Sequence, residues 1–301
     1  MYRILSTDGM AKSAVAKLRS LGYEVVEEFY EPEVLAEKVK EFDALVVRSA
    51  TKVREPIIDA AAKAGKLKII IRGGVGVDNI DVAYAKEKGI AVANTPNASS
   101  ASVAELAITH MLALARFVSI ANVTMREGKW EKKAYKGVEL TGKTLGVFGM
   151  GRIGRETAKR AEALGMKVIY TDSFPVSGVP YEKVEKDELL KRADFITFHI
   201  PAIKGQPPIV NAEFLAKMKD GAYLINTARG ALVDENALCD ALDSGKLAGA
   251  GLDVYCEEPS KNERLLHHPK VSLTPHIGGT TKEAQDRIGE EIVEIITNTL
   301  K

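Results

Sequence analysis

The chain of 301 residues has little of several things that would narrow its function quickly. It has two cysteines, Cys239 on an expected helix and Cys256 in an expected loop, with neither disulfide-framework nor metal-ligand spacing. A reduced, cytoplasmic compartment is the expectation, with no metal. The formal net charge is only +1, so no excess of one sign recruits nucleic acid or an anionic membrane. No apolar run reaches the roughly 20 residues of a membrane-spanning helix. The start, "MYRILSTDGM", lacks the charged region and apolar run of a secretory signal. Histidine is scarce, five in all.

What is there is patterned. Apolar runs such as "YRILST", "YEVVEE", "DALVVRS", "LKIIIRGG" and "IAVANTP" alternate with four helical patterns, and these often close with Gly. After Trp130 the alternation restarts with "KTLGVFGMG", "MKVIYTD", "DFITFHIP", "GAYLINTARG", "LAGAGLDV" and "KVSLTPH". Near-continuous Val/Ile/Leu strands between helices predict parallel sheets covered on both faces. Two such series predict an α/β protein of two doubly wound domains. The expected boundaries are residues 1–95 with 283–301 for the first and 96–282 for the second. The amphipathic last segment, "TKEAQDRIGEEIVEIITNTL", returns to the first domain. Residues 99–125 are apolar on nearly every face and predict one long helix, buried between domains or subunits. His110 lies inside it as a satisfied core or interface histidine.

The segment "KTLGVFGMGRIGRETAKRAEALGMKVIYTD" carries the most explicit chemistry. Gly149, Gly151 and Gly154 form G-x-G-x-x-G between an expected strand and an expected helix. The first glycine permits the tight turn, the second admits a pyrophosphate to the backbone, and the third lets helix and strand pack closely. The helix N-terminus offers free N–H groups to the phosphate. Asp172 ends the next strand, where its carboxylate would accept the adenosine ribose hydroxyls and repel a 2′-phosphate. NAD is therefore the expected cofactor, in preference to NADP.

Further polar groups stand at the carboxyl ends of later strands, where open α/β sheets bind ligands. They are Arg229 in "LINTARGALVDENAL", Asp253, Glu257 and Glu258 in "AGLDVYCEEP", and His276 in "VSLTPHIGG". Taken alone, a histidine between Pro275 and two glycines reads as a turn residue. Arg229 could equally pair with a neighbouring carboxylate, and Glu257 and Glu258 are equivalent by sequence. His199 also ends a strand, and His267 and His268 fall in a polar loop, where they are expected to be solvated.

Together with "VRSATKV", "GVGVDNID", "NTPNASS", "GKWEKK" and "TPHIGGTTKEAQ", these stretches occur in an order that resembles the D-2-hydroxyacid dehydrogenase family over nearly the whole chain. The members that oxidise D-3-phosphoglycerate with NAD, opening serine biosynthesis, are the most similar. The resemblance implies a flavodoxin-like substrate domain and a Rossmann NAD-binding domain. It makes Arg229 the group that binds the substrate carboxylate and polarises the C2 oxygen, and His276 the carrier of the C2 hydroxyl proton. Glu258 becomes the carboxylate that holds the imidazole and favours its protonated form. Arg152 and Ile153, Ile200, Thr227 and Ala228, Asp253 and Gly278 are implied cofactor contacts, with Val75 contributing backbone atoms. His199 would lie near the cofactor without moving protons.

For the substrate, Arg48, Ser49, Arg72 and the backbone of Gly74 and Gly76 in "RGGVGVDN" are implied on the first domain, with Lys132 from "GKWEKK". A small phosphorylated 2-hydroxy acid is the expected partner, with a homodimer formed through the NAD-binding domain. Glyoxylate or hydroxypyruvate reduction is the alternative, and an NAD-sensing scaffold of corepressor type is a remote one. No serine-feedback domain is expected after the last helix.

Overall fold

The structure, a computed structural model, describes residues 1–203 and 205–301. It separates into two units, Met1–Ser99 with Gly279–Lys301 and Ser100–Gly278. Both are doubly wound parallel sheets.

The first unit runs β1 (Arg3–Ser6), α1 (Lys12–Ser20), β2 (Glu24–Glu27), α2 (Pro32–Lys38), β3 (Ala44–Val47), α3 (Glu55–Ala64), β4 (Ile69–Arg72), α4 (Val82–Glu87) and β5 (Ala91–Asn94). Its strands lie in the order β2-β1-β3-β4-β5, all parallel. That is the flavodoxin-like order. Because side chains alternate across a strand, Leu5, Leu45, Val47 and Ile70 form the core on one face. Ile4, Ala44, Val46, Ile69 and Ile71 face the other way. The last helix, Lys282–Thr299, covers that second face with Ile288, Ile292 and Ile296.

The second unit contains α5 (Ser100–Ala115), α6 (Val118–Arg126), β6 (Thr144–Phe148), α7 (Arg152–Ala163), β7 (Lys167–Thr171), β8 (Glu182–Lys183), α8 (Lys186–Arg192), β9 (Phe195–Phe198), α9 (Ala212–Lys217), β10 (Ala222–Asn226), α10 (Glu235–Asp243), β11 (Leu247–Leu252), α11 (Glu263–Leu266) and β12 (Val271–Leu273). The parallel order is β12-β11-β10-β9-β6-β7-β8. The order reverses at β6, so the chain ends of β6 and β9 flank the switch point where such sheets bind dinucleotides. Phe195, fully buried, stacks on Tyr223 with ring centroids 4.5 Å apart. Burying a side chain of that size contributes roughly 1.5–3 kcal/mol. The two-residue edge strand β8 has no counterpart among the strands read from the sequence.

The single helix expected over 99–125 is instead two, α5 and α6, bent by 64°. The cause is local. Phe117 takes a left-handed backbone, φ 57°, and the loop beyond α6 returns so that Val138 N–H donates to the Ala115 carbonyl at 2.9 Å. That carbonyl is thereby withdrawn from a continuing helix. Gly137 permits the approach, since a Cβ there would overlap Ala115 O. The Phe117 ring rests on Tyr135, centroids 5.8 Å apart, which offsets part of the roughly 1–2 kcal/mol of a left-handed residue. Most of α5 is buried within the unit, whereas Val118, Val123 and Met125 of α6 are exposed.

Candidate active site

At the end of β6 the glycines behave as three different parts. Gly149 has φ 91°, and a Cβ there would come within 2.6 Å of Ile200 Cγ2 and 2.7 Å of His199 O. At Gly154 a Cβ would overlap Gly149 O, so only glycine lets α7 lie against the turn. Gly151 is the opposite case: nothing lies within 4 Å of its would-be Cβ. It is the N-cap of the twelve-residue helix α7 and supplies no side-chain cap. The N–H groups of Arg152 and Ile153 thus begin a helix with its positive end open. Asp172 closes the far side, accepting Met150 N–H at 2.7 Å and Phe174 N–H at 2.9 Å.

The second constellation is assembled by side chains. His276 follows β12 with φ 53°, a left-handed conformation that histidine adopts more readily than bulkier residues. Its Nδ1 lies 2.7 Å from Glu258 Oε2. The Tyr255 N–H donates to the other oxygen of Glu258 at 3.2 Å. Burial pushes the Glu258 carboxyl up, but its bond to His276, the Tyr255 N–H and the charge of Arg229 outweigh this and hold it below the usual carboxylate range. Glu257 turns to Lys261 instead, which separates two glutamates the sequence leaves equivalent.

Arg229 arrives through β10. The buried Asn226 side chain accepts the Ala228 N–H at 3.1 Å and donates to the Arg229 carbonyl at 2.8 Å, fixing the turn in between. Gly230 then meets the turn after β11, where a Cβ would overlap Tyr255 O. The next residue of that turn, Cys256, donates its thiol to Val233 O at 3.3 Å, and burial pushes its pKa up to about 11. The backbone contact at Gly230 brings the "TARG" and "YCEEP" segments together.

Asp253, buried at the end of β11, accepts the Thr274 hydroxyl at 2.6 Å and the Ile277 and Gly278 N–H groups at 2.8 Å each. Its carboxylate holds the histidine turn as well as standing among the expected cofactor contacts. Tyr255 OH donates to Thr274 O at 2.9 Å, tying β11 to β12.

A sequence profile described as "D-isomer specific 2-hydroxyacid dehydrogenase, NAD binding domain" matches residues 108–278. The chain belongs to the D-isomer specific 2-hydroxyacid dehydrogenase family. Among known relatives, a hydroxypyruvate reductase of Thermotoga maritima is 51% identical over 99% of this chain and 98% of its own length. A D-3-phosphoglycerate dehydrogenase of Methanocaldococcus jannaschii is 46% identical over all of this chain, which spans 58% of that longer protein. A crystal structure of a Thermus thermophilus protein superposes with a TM-score of 0.91 at 38% identity, covering 99% of this chain and 96% of that one.

As an NAD-dependent 2-hydroxyacid dehydrogenase the chain must accommodate the dinucleotide, and its residues fit. The open side of Gly151 and the uncapped start of α7 suit a pyrophosphate. Two buried polar atoms beside the glycine turn and the Arg229 turn, His199 Nδ1 and Thr227 Oγ1, have no hydrogen-bond partner among the described residues. Burial pushes His199 down to about 3, which keeps its ring neutral and suits a hydrogen-bonding role rather than a proton carrier.

The remaining dehydrogenase residues named from sequence fall in two places. In the first unit Arg72 Nη2 donates to Ser49 Oγ at 3.3 Å. The Arg48 N–H is held by Asp8 at 2.6 Å and its carbonyl by Asn79 at 2.7 Å. Gly74 has φ 144° and lies beneath the Arg72 guanidinium, which occupies the place of a Cβ. The Val75 carbonyl accepts from Asn94 at 2.5 Å, and Gly76 follows it in the same turn. Lys132 belongs to the second unit, exposed in the loop after α6. His268 corrects an expectation: it is not solvated. Its side chain is 6% exposed and pairs with Asp243, while its Nδ1 accepts the Lys270 N–H. His267 is exposed as expected. Sequence reading missed Asn226, Tyr255, Asp8 and Asn79. An Asn directly after a strand, with its side chain free to bond the next turn, is the signal that Asn226 offered.

Proposed function

We propose that the protein oxidises D-3-phosphoglycerate to 3-phosphohydroxypyruvate with NAD, the entry reaction of serine biosynthesis. The observation that carries the 2-hydroxy acid chemistry is the His276–Glu258 pair, 2.7 Å apart, with Arg229 close enough to bias the same carboxylate. Bound NAD supplies a two-electron hydride acceptor for the hydrogen on C2. With Nδ1 donating to Glu258, the Nε2 lone pair of His276 takes the C2 hydroxyl proton in oxidation and returns it in reduction. The Arg229 guanidinium binds the carboxylate and the C2 oxygen, a task suited to a planar, permanently charged fork. With NAD bound, loss of that proton and of the C2 hydrogen would balance as 2-hydroxy acid and NAD giving 2-oxo acid, NADH and one proton.

Arg48, Ser49 and Arg72, with the backbone of Gly74 and Gly76, are assigned to the phosphate, and Lys132 as a further cation. The support is chemical: two arginines and a hydroxyl beside a glycine-rich turn in the first unit. Hydroxypyruvate reduction is the second reading, favoured by the end-to-end match to the Thermotoga enzyme. We also assign Leu112, Val118, Val123 and Met125, exposed apolar side chains of α5 and α6, to a homodimer contact, which light scattering showing a monomer would remove. The free cysteines support a cytoplasmic setting.

The test is a rate comparison among D-3-phosphoglycerate with NAD and hydroxypyruvate or glyoxylate with NADH. Phosphoglycerate should be turned over with the lowest KM. Arg48→Ala should raise that KM by roughly 10- to 100-fold, the worth of a charge-assisted hydrogen bond, and leave hydroxypyruvate kinetics within about threefold. Equal effects on both substrates would remove the phosphate assignment.

A further inference from the structure

Five side chains of the second unit form an unbroken hydrogen-bond line from α6 to the turn that carries His276. Ser119 Oγ lies 3.3 Å from Ser272 Oγ, which lies 2.9 Å from His110 Nδ1. His110 Nε2 lies 3.1 Å from Thr274 Oγ1, and the Thr274 hydroxyl donates to Asp253 Oδ1 at 2.6 Å. Asp253 in turn accepts the N–H groups of Ile277 and Gly278, the two residues that follow His276.

The proton positions follow from the carboxylate end. An ionised carboxylate only accepts, and a threonine hydroxyl has one proton, which here goes to Asp253. Thr274 Oγ1 must therefore accept from His110, so Nε2 bears the ring proton. Burial keeps the ring neutral, its pKa pushed down to about 4 against the opposing pull of Asp253. Nδ1 is then an acceptor, Ser272 donates to it, and Ser119 donates to Ser272. Every donor finds one acceptor and the whole line points toward Asp253. Gly251 of β11 makes room for it: a Cβ there would stand 2.6 Å from His110 Cβ. The imidazole is thus wedged between α5 and the strand that delivers Asp253.

We infer that His110 and Thr274 are positioning residues for His276, holding the Asp253 carboxylate so that the left-handed backbone of the histidine turn keeps its imidazole against Glu258. A core histidine needs only two partners of any kind. Here one partner commits its single proton to the group that anchors the turn, and a left-handed non-glycine residue persists only where its surroundings over-determine it. The inference rests on His276 as the proton carrier.

The test uses the intact enzyme with NADH and the 2-oxo acid that gives the highest turnover. Thr274→Val keeps the shape and removes both the donor and the acceptor. It should lower kcat roughly 10- to 100-fold, the scale of a misplaced catalytic group, with both KM values and NADH binding within about threefold. Thr274→Ser restores the hydroxyl and should recover most of the turnover. Adding His110→Leu to Thr274→Val should cost little more, because His110 acts through that hydroxyl. In a His276→Ala background Thr274→Val should change the residual rate by less than about twofold, since nothing is left to position. Equal losses for Val and Ser, a wild-type kcat for Thr274→Val, or a further loss in the His276→Ala background would each overturn the inference. Near-normal turnover of His276→Ala alone would overturn the proton-carrier reading and this one with it. A large His276→Ala loss beside an inert Thr274→Val overturns only the positioning role.

Discussion

The turn after β6 and the turn after β12 belong to the same seven-stranded sheet and are built by opposite means. The first is shaped by what is missing: two glycines avoid clashes with neighbouring backbone, and a third leaves its side open. The second is shaped by side chains, with Asp253, Thr274, Tyr255 and Glu258 each bonded into or against the histidine turn. Backbone sterics suit the first task, because a dinucleotide phosphate is met by N–H groups that must come close. Proton transfer needs one nitrogen held at one angle, which backbone alone does not supply. Binding and chemistry are therefore expected to fail separately.

The largest separation should come from His276→Ala. Its turnover should fall by roughly 10²–10⁴-fold while NAD binding, measured by calorimetry, stays within about threefold. A matching loss of NAD affinity would mean that the two turns are not independent. Next, Asp172→Ala should strike the other side. If the Asp172 carboxylate accepts the ribose hydroxyls and repels a 2′-phosphate, the ratio of kcat/KM with NAD to that with NADP should drop roughly tenfold or more. Unchanged selectivity would place ribose recognition elsewhere.

The smallest effect is on stability. The Glu258 carboxyl is held below the ordinary carboxylate range of about 4.3. Its contribution is therefore fully present above that range and is lost as pH falls through the lower folded value. In thermal melts, the gap between the wild type and Glu258→Gln should be open at about pH 5 and close as pH falls further. With 38% of the Glu258 side chain exposed, solvent screens the pair and the gap should be small. A gap that stays open or widens below about pH 3 would reverse the assigned direction.

The same contrast decides how much was legible in the sequence. The glycine turn could be read directly, because steric necessity leaves only one residue type at Gly149 and Gly154 and places Asp172 at the end of the next strand. The strand and helix alternation was legible for the same kind of local reason. The histidine turn was visible only through family resemblance, since its partners lie far apart: His110 and Thr274 are 164 residues from one another. Glu258 differs from Glu257 through the turn that bonds it to the Tyr255 N–H and to His276, while Glu257 pairs with Lys261. The break at Phe117 escaped because its cause, the return of Gly137 and Val138 onto Ala115, is not encoded in the helix itself. His268 looked solvated because the sequence around it is polar, while the Asp243 that receives it comes from α10.

The thiol of Cys256 has a practical consequence. It stands two positions from Glu258, where an ionised sulfur would be exposed to electrophiles and peroxides. With its proton donated to a backbone carbonyl and its pKa pushed up to about 11 by burial, the thiolate is a minor species at neutral pH. Cys239 is buried, whereas Cys256 is exposed and donates its thiol to the backbone. Alkylation of Cys256, the exposed thiol beside the Glu258 turn, is therefore expected to be slow at neutral pH and to quicken as the medium grows alkaline.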